Sequence, residues 1–423
     1  MVMQKFDKYE LPRITREWLI ESPFTSTAQA MALDMELNGY TCKTICSYVS
    51  GVAHFAHWCE TKDIQVGDID ADYIEQFLYK HLPQCACAPH CRKSLKEVRA
   101  ALKQWMFSAR RIGVCPPMTK CFPKHIQSEL HRFASHLNDV KGLQETTIAT
   151  RKKFVALFLE VYFGKRQSIE LNKLTPHDIH SYVSAQTKGW KPSSIKVMCV
   201  SLRSYLRFSA ISGNSANTLI AALPTTASWR QATLPKTLEE EEIKTLLAAF
   251  DQATLGGQRD YAIARCYIDL GLRTAEILRL NLDDILWTEA IVQIRGKGRR
   301  VDTMPLPAET GDAIARYLKN RVSNSRSRSL FHRLNAPFEK PIGSDMIRGS
   351  IRNAASRCGL SNMMTGPHRF RHTLAIRLVR SGTSLKVISD VLRHRDLDTT
   401  TIYAKTDLES LAGVARNWPG EIS

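Results

Sequence analysis

Apolar residues recur at helical spacing through the first half of the chain, and this restricts what it can fold into: helices packed on helices. Between Thr25 and Val114 the runs are Met31, Leu33 and Leu37, then Ile45, Val49, Val52, Phe55 and Trp58, then Ile74, Phe77 and Leu78, then Leu95, Val98, Leu102, Trp105 and Met106. Polar turns separate them, which predicts a small bundle. The pattern then returns. The stretch from Gly39 to Ile45 matches that from Gly142 to Ile148, and Val52 and Phe55 match Val155 and Phe158 at the same offset. Farther on, Ser94, Leu102, Trp105 and Gly113 correspond to Ser194, Leu202, Tyr205 and Gly213. Two related helical modules in tandem account for this, over 25–120 and 121–213; the competing reading is that helical periodicity alone imitates a repeat.

The flanking segments read differently. Residues 1–24 are expected to be an N-terminal tail. Residues 214–236 are rich in Ala, Thr, Ser and Pro, with Pro224 and Pro235 as breakers, and read as a linker. A last domain is expected over 237–423. Thr237 is placed to cap its first helix ahead of the acidic run Glu239–Glu242. A strand pair over about Ile291 to Pro305 turns at Gly296-Lys297-Gly298. The fold class is mainly α, with a small β-hairpin or sheet in the last domain.

Charge points to the partner. There are 59 Lys+Arg against 41 Asp+Glu, a formal net charge of +18. This favours a polyanion, nucleic acid before a membrane surface. The N-terminus carries no apolar signal core and no segment has the uninterrupted apolar length of a membrane span, so a cytoplasmic location is expected. Eleven cysteines without a secretion signal argue for reduced thiols. Cys85, Cys87, His90 and Cys91 form a ligand-rich loop that could hold a structural zinc, though the spacing is not that of a paired knuckle, and free thiols are the alternative.

The richest chemistry lies at the C-terminal end. Pro367-His-Arg-Phe-Arg-His372 opens an amphipathic run, with His368 and Arg371 three residues apart on one helical face. Leu385, Ile388, Val391 and Leu392 form another helix, with His394 directly after it and Tyr403 beyond a polar turn. Upstream, Arg273 stands at the start of a helix and Lys297 at the hairpin turn. Singly, each has an ordinary structural reading. Together, Arg273, Lys297, His368, Arg371, His394 and Tyr403 form an ordered set.

In that order and spacing the set resembles the tyrosine recombinase (phage integrase) family over about Leu234 to Val414, as a member of the integrase or transposase kind carried by mobile elements. Two positions depart from its pattern: Arg393 where a glycine usually precedes the second histidine, and Lys405 where a histidine often follows the tyrosine. The resemblance implies a catalytic domain over 237–423, a helical DNA-binding (core-binding) domain over 121–213, a divergent second copy before it, and a linker that lets two domains close round a duplex. It implies an enzyme that cuts and rejoins double-stranded DNA through a 3′-phosphotyrosyl link to Tyr403, with no cofactor, metal or ATP. In this scheme Arg273 and Arg371 clamp the phosphate, Lys297 protonates the leaving oxygen, His368 assists proton transfer at Tyr403, and His394 hydrogen-bonds the phosphate. Glu276 is expected to orient the site.

The resemblance further implies a homo- or hetero-tetramer on two DNA sites, with 407–414 a candidate docking element. Residues 321–328 read as a solvated loop or a phosphate contact. The alternatives are a type IB topoisomerase-like nicking and closing activity, and a DNA-binding protein with a decayed site.

Overall fold

The structure is a computed structural model describing residues 6, 8–20, 22–87, 94–115, 122–212, 217–225, 236–296, 300–321, 327–338, 341–363, 366–394 and 399–406. Backbone packing divides the chain into two compact units, residues 117–230 and residues 1–116 with 231–423. Among the described residues it is mainly α, with one three-stranded sheet. No helix among the described residues is long and apolar enough to cross a membrane.

The first helical module comprises α1 (Arg13–Leu19), α2 (Thr25–Leu37), α3 (Cys42–Thr61), α4 (Ala71–Gln76) and α5 (Leu95–Arg111). The Thr41 hydroxyl caps α3 by accepting from the Thr44 N–H. The apolar faces meet in a core around Phe24, Phe55, Phe77 and Trp105. The Trp105 indole N–H donates to Thr27 Oγ1 at 2.8 Å, and buried Asp34 accepts from Ser108 and Arg111, so these polar groups are satisfied inside the bundle. The expected tail over 1–24 differs from what is found. Tyr9, Leu11, Leu19 and Phe24 are buried in this core, because short apolar groups among charges suffice for one more helix once a bundle exists to receive them.

In the second unit, α6 (Lys124–Asp139), α7 (Glu145–Phe163), α8 (Pro176–Gln186) and α9 (Pro192–Ile211) follow in the same order as α2 to α5. The core is built on Phe133, Phe158, Phe163 and Tyr205. Thr175 and Asp178 form a capping box at α8, with Pro176 in its first turn. A short helix, α10 (Asn217–Ala222), buries Leu219, and Leu223 follows it into the same core. The stretch expected to be linker therefore begins with a helix of this bundle: its alanines favour helix, and two leucines four apart supply an apolar face.

The last domain runs through α11 (Glu240–Ala248), α12 (Leu255–Leu270), α13 (Thr274–Ile277), β1 (Ile285–Leu286), β2 (Ile291–Arg295), β3 (Val301–Pro305), α14 (Ala308–Asn320), α15 (Ser344–Arg357), α16 (His368–Arg380) and α17 (Leu385–Val391), and ends in a 3-10 turn, Thr401–Thr406. The cap of α11 is Glu239 in a reciprocal box with Glu242, displacing the expected Thr237. The sheet is antiparallel in the order β1-β2-β3, with Ile291 opposite Pro305 and Arg295 opposite Val301. Val292 and Ile294 face the core on alternate positions of β2. The α12 helix packs against α14, α15 and α16. It ends at Gly271, whose φ of +57° is left-handed and where a Cβ would lie 2.8 Å from Leu374. Only glycine fits, and the chain turns there to present Arg273.

Candidate active site

Arg273 is the N-cap residue of α13 and its side chain is 37% exposed, enough to reach solvent. Its position is held by Glu276, three residues on. The Glu276 carboxylate accepts from Arg273 Nη1 at 2.6 Å and from the Arg273 backbone N–H at 2.9 Å. A second guanidinium, that of buried Arg393, donates to the same carboxylate at 3.1 Å. Burial alone would raise the Glu276 pKa, but the charge of Arg393 and the bonds from Arg273 outweigh it and hold the group below its ordinary range. Glu276 thus fixes two cations at once.

The α16 helix starts directly behind Pro367 and carries His368, Arg371 and His372. Arg371 is buried, and its Nη1 donates to the Gly271 carbonyl at 2.6 Å while Nη2 donates to the Leu392 carbonyl. One guanidinium therefore ties the end of α12 to the end of α17, with donors left over for an anion. Burial, then Arg273 and Arg393, push its pKa down to about 9, which leaves it charged at neutral pH. His368 is exposed at the start of the helix, and its pKa is lowered by desolvation and by Arg371 and Arg273.

Arg393 explains one departure from the family pattern. Its φ is +53°, so the position demands the left-handed backbone that glycine adopts freely. The side chain is 4% exposed and donates to Glu276 and to the carbonyls of Leu270 and Gly271. Its own carbonyl accepts from Arg273 Nη2 at 3.2 Å. Those bonds offset a backbone cost of about 1–2 kcal/mol. His394 follows, with Nδ1 at 2.7 Å from Thr400 Oγ1. Burial, with Arg371, Arg273 and Arg393 adding to it, pushes its pKa down to about 4, so the ring is neutral near pH 7.

Tyr403 is 2% exposed and packs with Ala375, Ile376, Ile388 and Leu392. Its hydroxyl meets His372 Nδ1 at 2.8 Å. Burial raises the Tyr403 pKa, and Arg371 and Arg273 act against that rise. The imidazole on the tyrosine is thus His372, whereas the sequence reading gave that place to His368. No local signal separates two histidines four apart on one helix; which of them meets the tyrosine is set by how the 3-10 turn packs on α16.

The structure accordingly brings Arg273, His368, Arg371, His394 and Tyr403 into one electrostatic neighbourhood. Lys297 lies outside the described residues, as do His90, Cys91, 322–326 and 407–414. Gly296, at the start of the hairpin turn, donates its N–H to the Arg300 carbonyl at 2.8 Å, closing β2 on β3. Three guanidiniums against one carboxylate suit the site to an anion with several oxygens, and a buried phenol beside an imidazole is a nucleophile with a proton acceptor at hand.

Comparison with known proteins agrees. The phage integrase family model matches residues 236–409. A Sinorhizobium fredii protein described as an integrase/recombinase, y4rA, is 32% identical over 383 residues, 90% of this chain and 91% of that one. The tyrosine recombinase XerC of Vibrio cholerae is 27% identical over 69% of this chain and 92% of its own length. Among solved structures, the XerH site-specific recombinase bound to a palindromic difH substrate superposes with a TM-score of 0.53 at 16% identity, covering 87% of this chain and 95% of that one. A lambda integrase fragment bound to a core site gives 0.51 at 16% identity, over 70% and 98%. With a relative this similar along nearly the whole chain, and with this site in its last domain, the protein belongs to the phage integrase family of tyrosine recombinases.

Proposed function

We propose that this chain is a site-specific DNA recombinase of the integrase or transposase kind, cutting and rejoining double-stranded DNA with Tyr403 as nucleophile. The observation that carries the reading is the placement of the Tyr403 hydroxyl, 2.8 Å from His372 and under the field of Arg273 and Arg371. Tyr403 Oη attacks the scissile phosphorus, the bond from phosphorus to the 5′ oxygen breaks, and the products are a 3′-phosphotyrosyl ester and a free 5′ hydroxyl. The phenolic proton passes to the neutral imidazole of His372. The departing oxygen takes a proton, a task we assign to Lys297 by its place in the family motif. Arg273, Arg371 and His394 hold the non-bridging oxygens as charge builds on them. Attack by another strand's 5′ hydroxyl reverses these steps and rejoins the backbone. The ester conserves the bond energy, so the chemistry calls for neither ATP nor a metal.

Recombination needs four strand cuts, so we expect four subunits on two duplexes, identical or mixed with related recombinases. The +18 net charge supports DNA as the partner, and we place the activity in the cytoplasm. The likeness to y4rA, described as an integrase/recombinase, supports recombination over topoisomerase-like closing.

The test is a nicked suicide duplex taken from the ends of the element that encodes this chain. A covalent protein–DNA adduct that forms with wild type and is lost in Tyr403→Phe supports the proposal. DNA binding with no adduct, in the presence of related recombinases as well as alone, overturns it in favour of a decayed site.

A further inference from the structure

The first helical module carries a cluster of soft ligands far in sequence from the catalytic residues. His54 on α3 is fully buried, and its Nε2 lies 3.2 Å from Cys85 Sγ and 3.4 Å from His81 Nε2. Cys87 Sγ is 3.4 Å from the same His81 nitrogen, and the four ligand atoms all fall within 4.8 Å of one another. With zinc–nitrogen bonds of about 2.0–2.1 Å and zinc–sulfur bonds of about 2.3 Å, a tetrahedral site has edges of roughly 3.3–3.8 Å. The three separations of 3.2, 3.4 and 3.4 Å lie close to those edges, and none of the six exceeds 4.8 Å.

We propose that His54, His81, Cys85 and Cys87 form a structural zinc site that fastens the segment after α4 onto α3. Three features of the surrounding structure support it. The first is the backbone. α4 gives way to a π-helical turn over Phe77–His81, a rare conformation that rotates His81 round to face His54. The second is the outer shell. The His54 ring is held between Trp18 and Phe77, at centroid distances of 5.7 and 5.1 Å, and His81 stacks on Phe77 at 5.2 Å, so both imidazoles are oriented by packing. The third is the sulfur environment. The Cys87 backbone N–H donates to Cys85 Sγ at 3.4 Å, an outer contact that helps hold the sulfur in place.

The sequence alone pointed to Cys85, Cys87, His90 and Cys91. Among the described residues the fold brings His54 and His81 to Cys85 and Cys87; they lie 31 and 4 residues before Cys85 and share no motif with it, while His90 and Cys91 lie outside the described residues. Two imidazoles and two thiolates complete a closed tetrahedron, with no position left for substrate, so the metal's role is to hold structure. The nearest ring of this kind in sequence is too scattered to read as a zinc motif, and this explains why spacing rules pass over it.

The experiment uses the full chain. Wild-type protein, desalted after purification, is assayed for bound metal by elemental analysis, then stripped with a chelator and titrated with Zn²⁺ and with Co²⁺. The expected result is about one zinc per chain, and a Co²⁺ form with the intense absorption bands of tetrahedral thiolate coordination. Cys87→Ser, at an exposed position, should keep the helical fold and lose zinc affinity at least tenfold; Cys85→Ser should behave alike, and Cys358→Ser in the last domain should bind as wild type. Chelation should lower the melting temperature of wild type and leave that of Cys87→Ser unmoved. Wild-type protein that takes up no stoichiometric zinc or cobalt, or Cys85→Ser and Cys87→Ser variants that bind as tightly as wild type, overturns the proposal. Because this site is read out by metal content and not by strand cleavage, its failure is distinguishable from a failure of the catalytic reading.

Discussion

The imidazole of His372 and the hydroxyl of Tyr403 meet at 2.8 Å, with the Tyr403 ring in the apolar cluster of Ala375, Ile388 and Leu392. Burial, helped by His368 and Arg371, lowers the His372 pKa, so the ring is neutral near pH 7, and in its Nε2-protonated tautomer Nδ1 accepts from the phenol. Replacing His372 with Ala is expected to slow covalent adduct formation by about 10²–10⁴-fold, the range of a positioned base. DNA binding should be unchanged, and the acid limb of the pH–rate profile should disappear. A variant that keeps both the wild-type rate and the acid limb would remove His372 from the chemistry.

Arg393 presents a conflict between backbone and side chain. Arg393→Gly relieves the left-handed strain, worth about 1 kcal/mol, but deprives buried Glu276 of one of its two guanidiniums. The loss should prevail, with a net destabilisation of about 2 kcal/mol in urea unfolding, moderated by the Arg273 bond that remains. Adding Glu276→Gln to it should cost less than the sum of the two single changes, since both remove the same ion pair.

Protonation of the site should weaken the fold in acid. His394 is held down to about 4 when folded, whereas in the unfolded chain it titrates near an ordinary value of about 6.5. Between those values the unfolded state binds the extra proton, so stability is complete above about pH 6.5 and falls as pH drops toward 4. The expected loss is on the order of 2 kcal/mol. Denaturation midpoints measured across this window should slope less steeply in His394→Gln.

Leu219 decides where the second helical unit ends. It is 1% exposed, so Leu219→Ala should destabilise this unit by about 2–4 kcal/mol. A leucine in a solvated linker would change stability by no more than about 0.5 kcal/mol. Denaturant unfolding, with limited proteolysis to follow the 117–230 unit, tells the two apart.

Helices were legible because their apolar faces are written at local spacing: Ile45, Val49, Val52 and Phe55 lie along α3 as read, and all four are buried. The hairpin was legible from Gly296 and Gly298 between two β-branched runs. The tail and the linker differ from the reading because their apolar stretches are short: Tyr9 and Leu11 stand among charged residues, and Leu219 to Leu223 is a five-residue apolar run between polar stretches, so whether either is buried depends on whether a neighbouring bundle offers it a place.

Family membership was determined by the sequence, because residue type and order along the chain suffice to recognise the set Arg273, Lys297, His368, Arg371, His394 and Tyr403 as resembling that family's. Helix content followed equally, since its period is local. Which histidine meets Tyr403, why an arginine stands at a left-handed position, and which imidazoles join Cys85 and Cys87 were decided only by tertiary structure. Each of those is a contact between side chains that lie far apart in the chain or compete from one helix face, and distances of a few ångströms between packed elements have no counterpart in linear spacing.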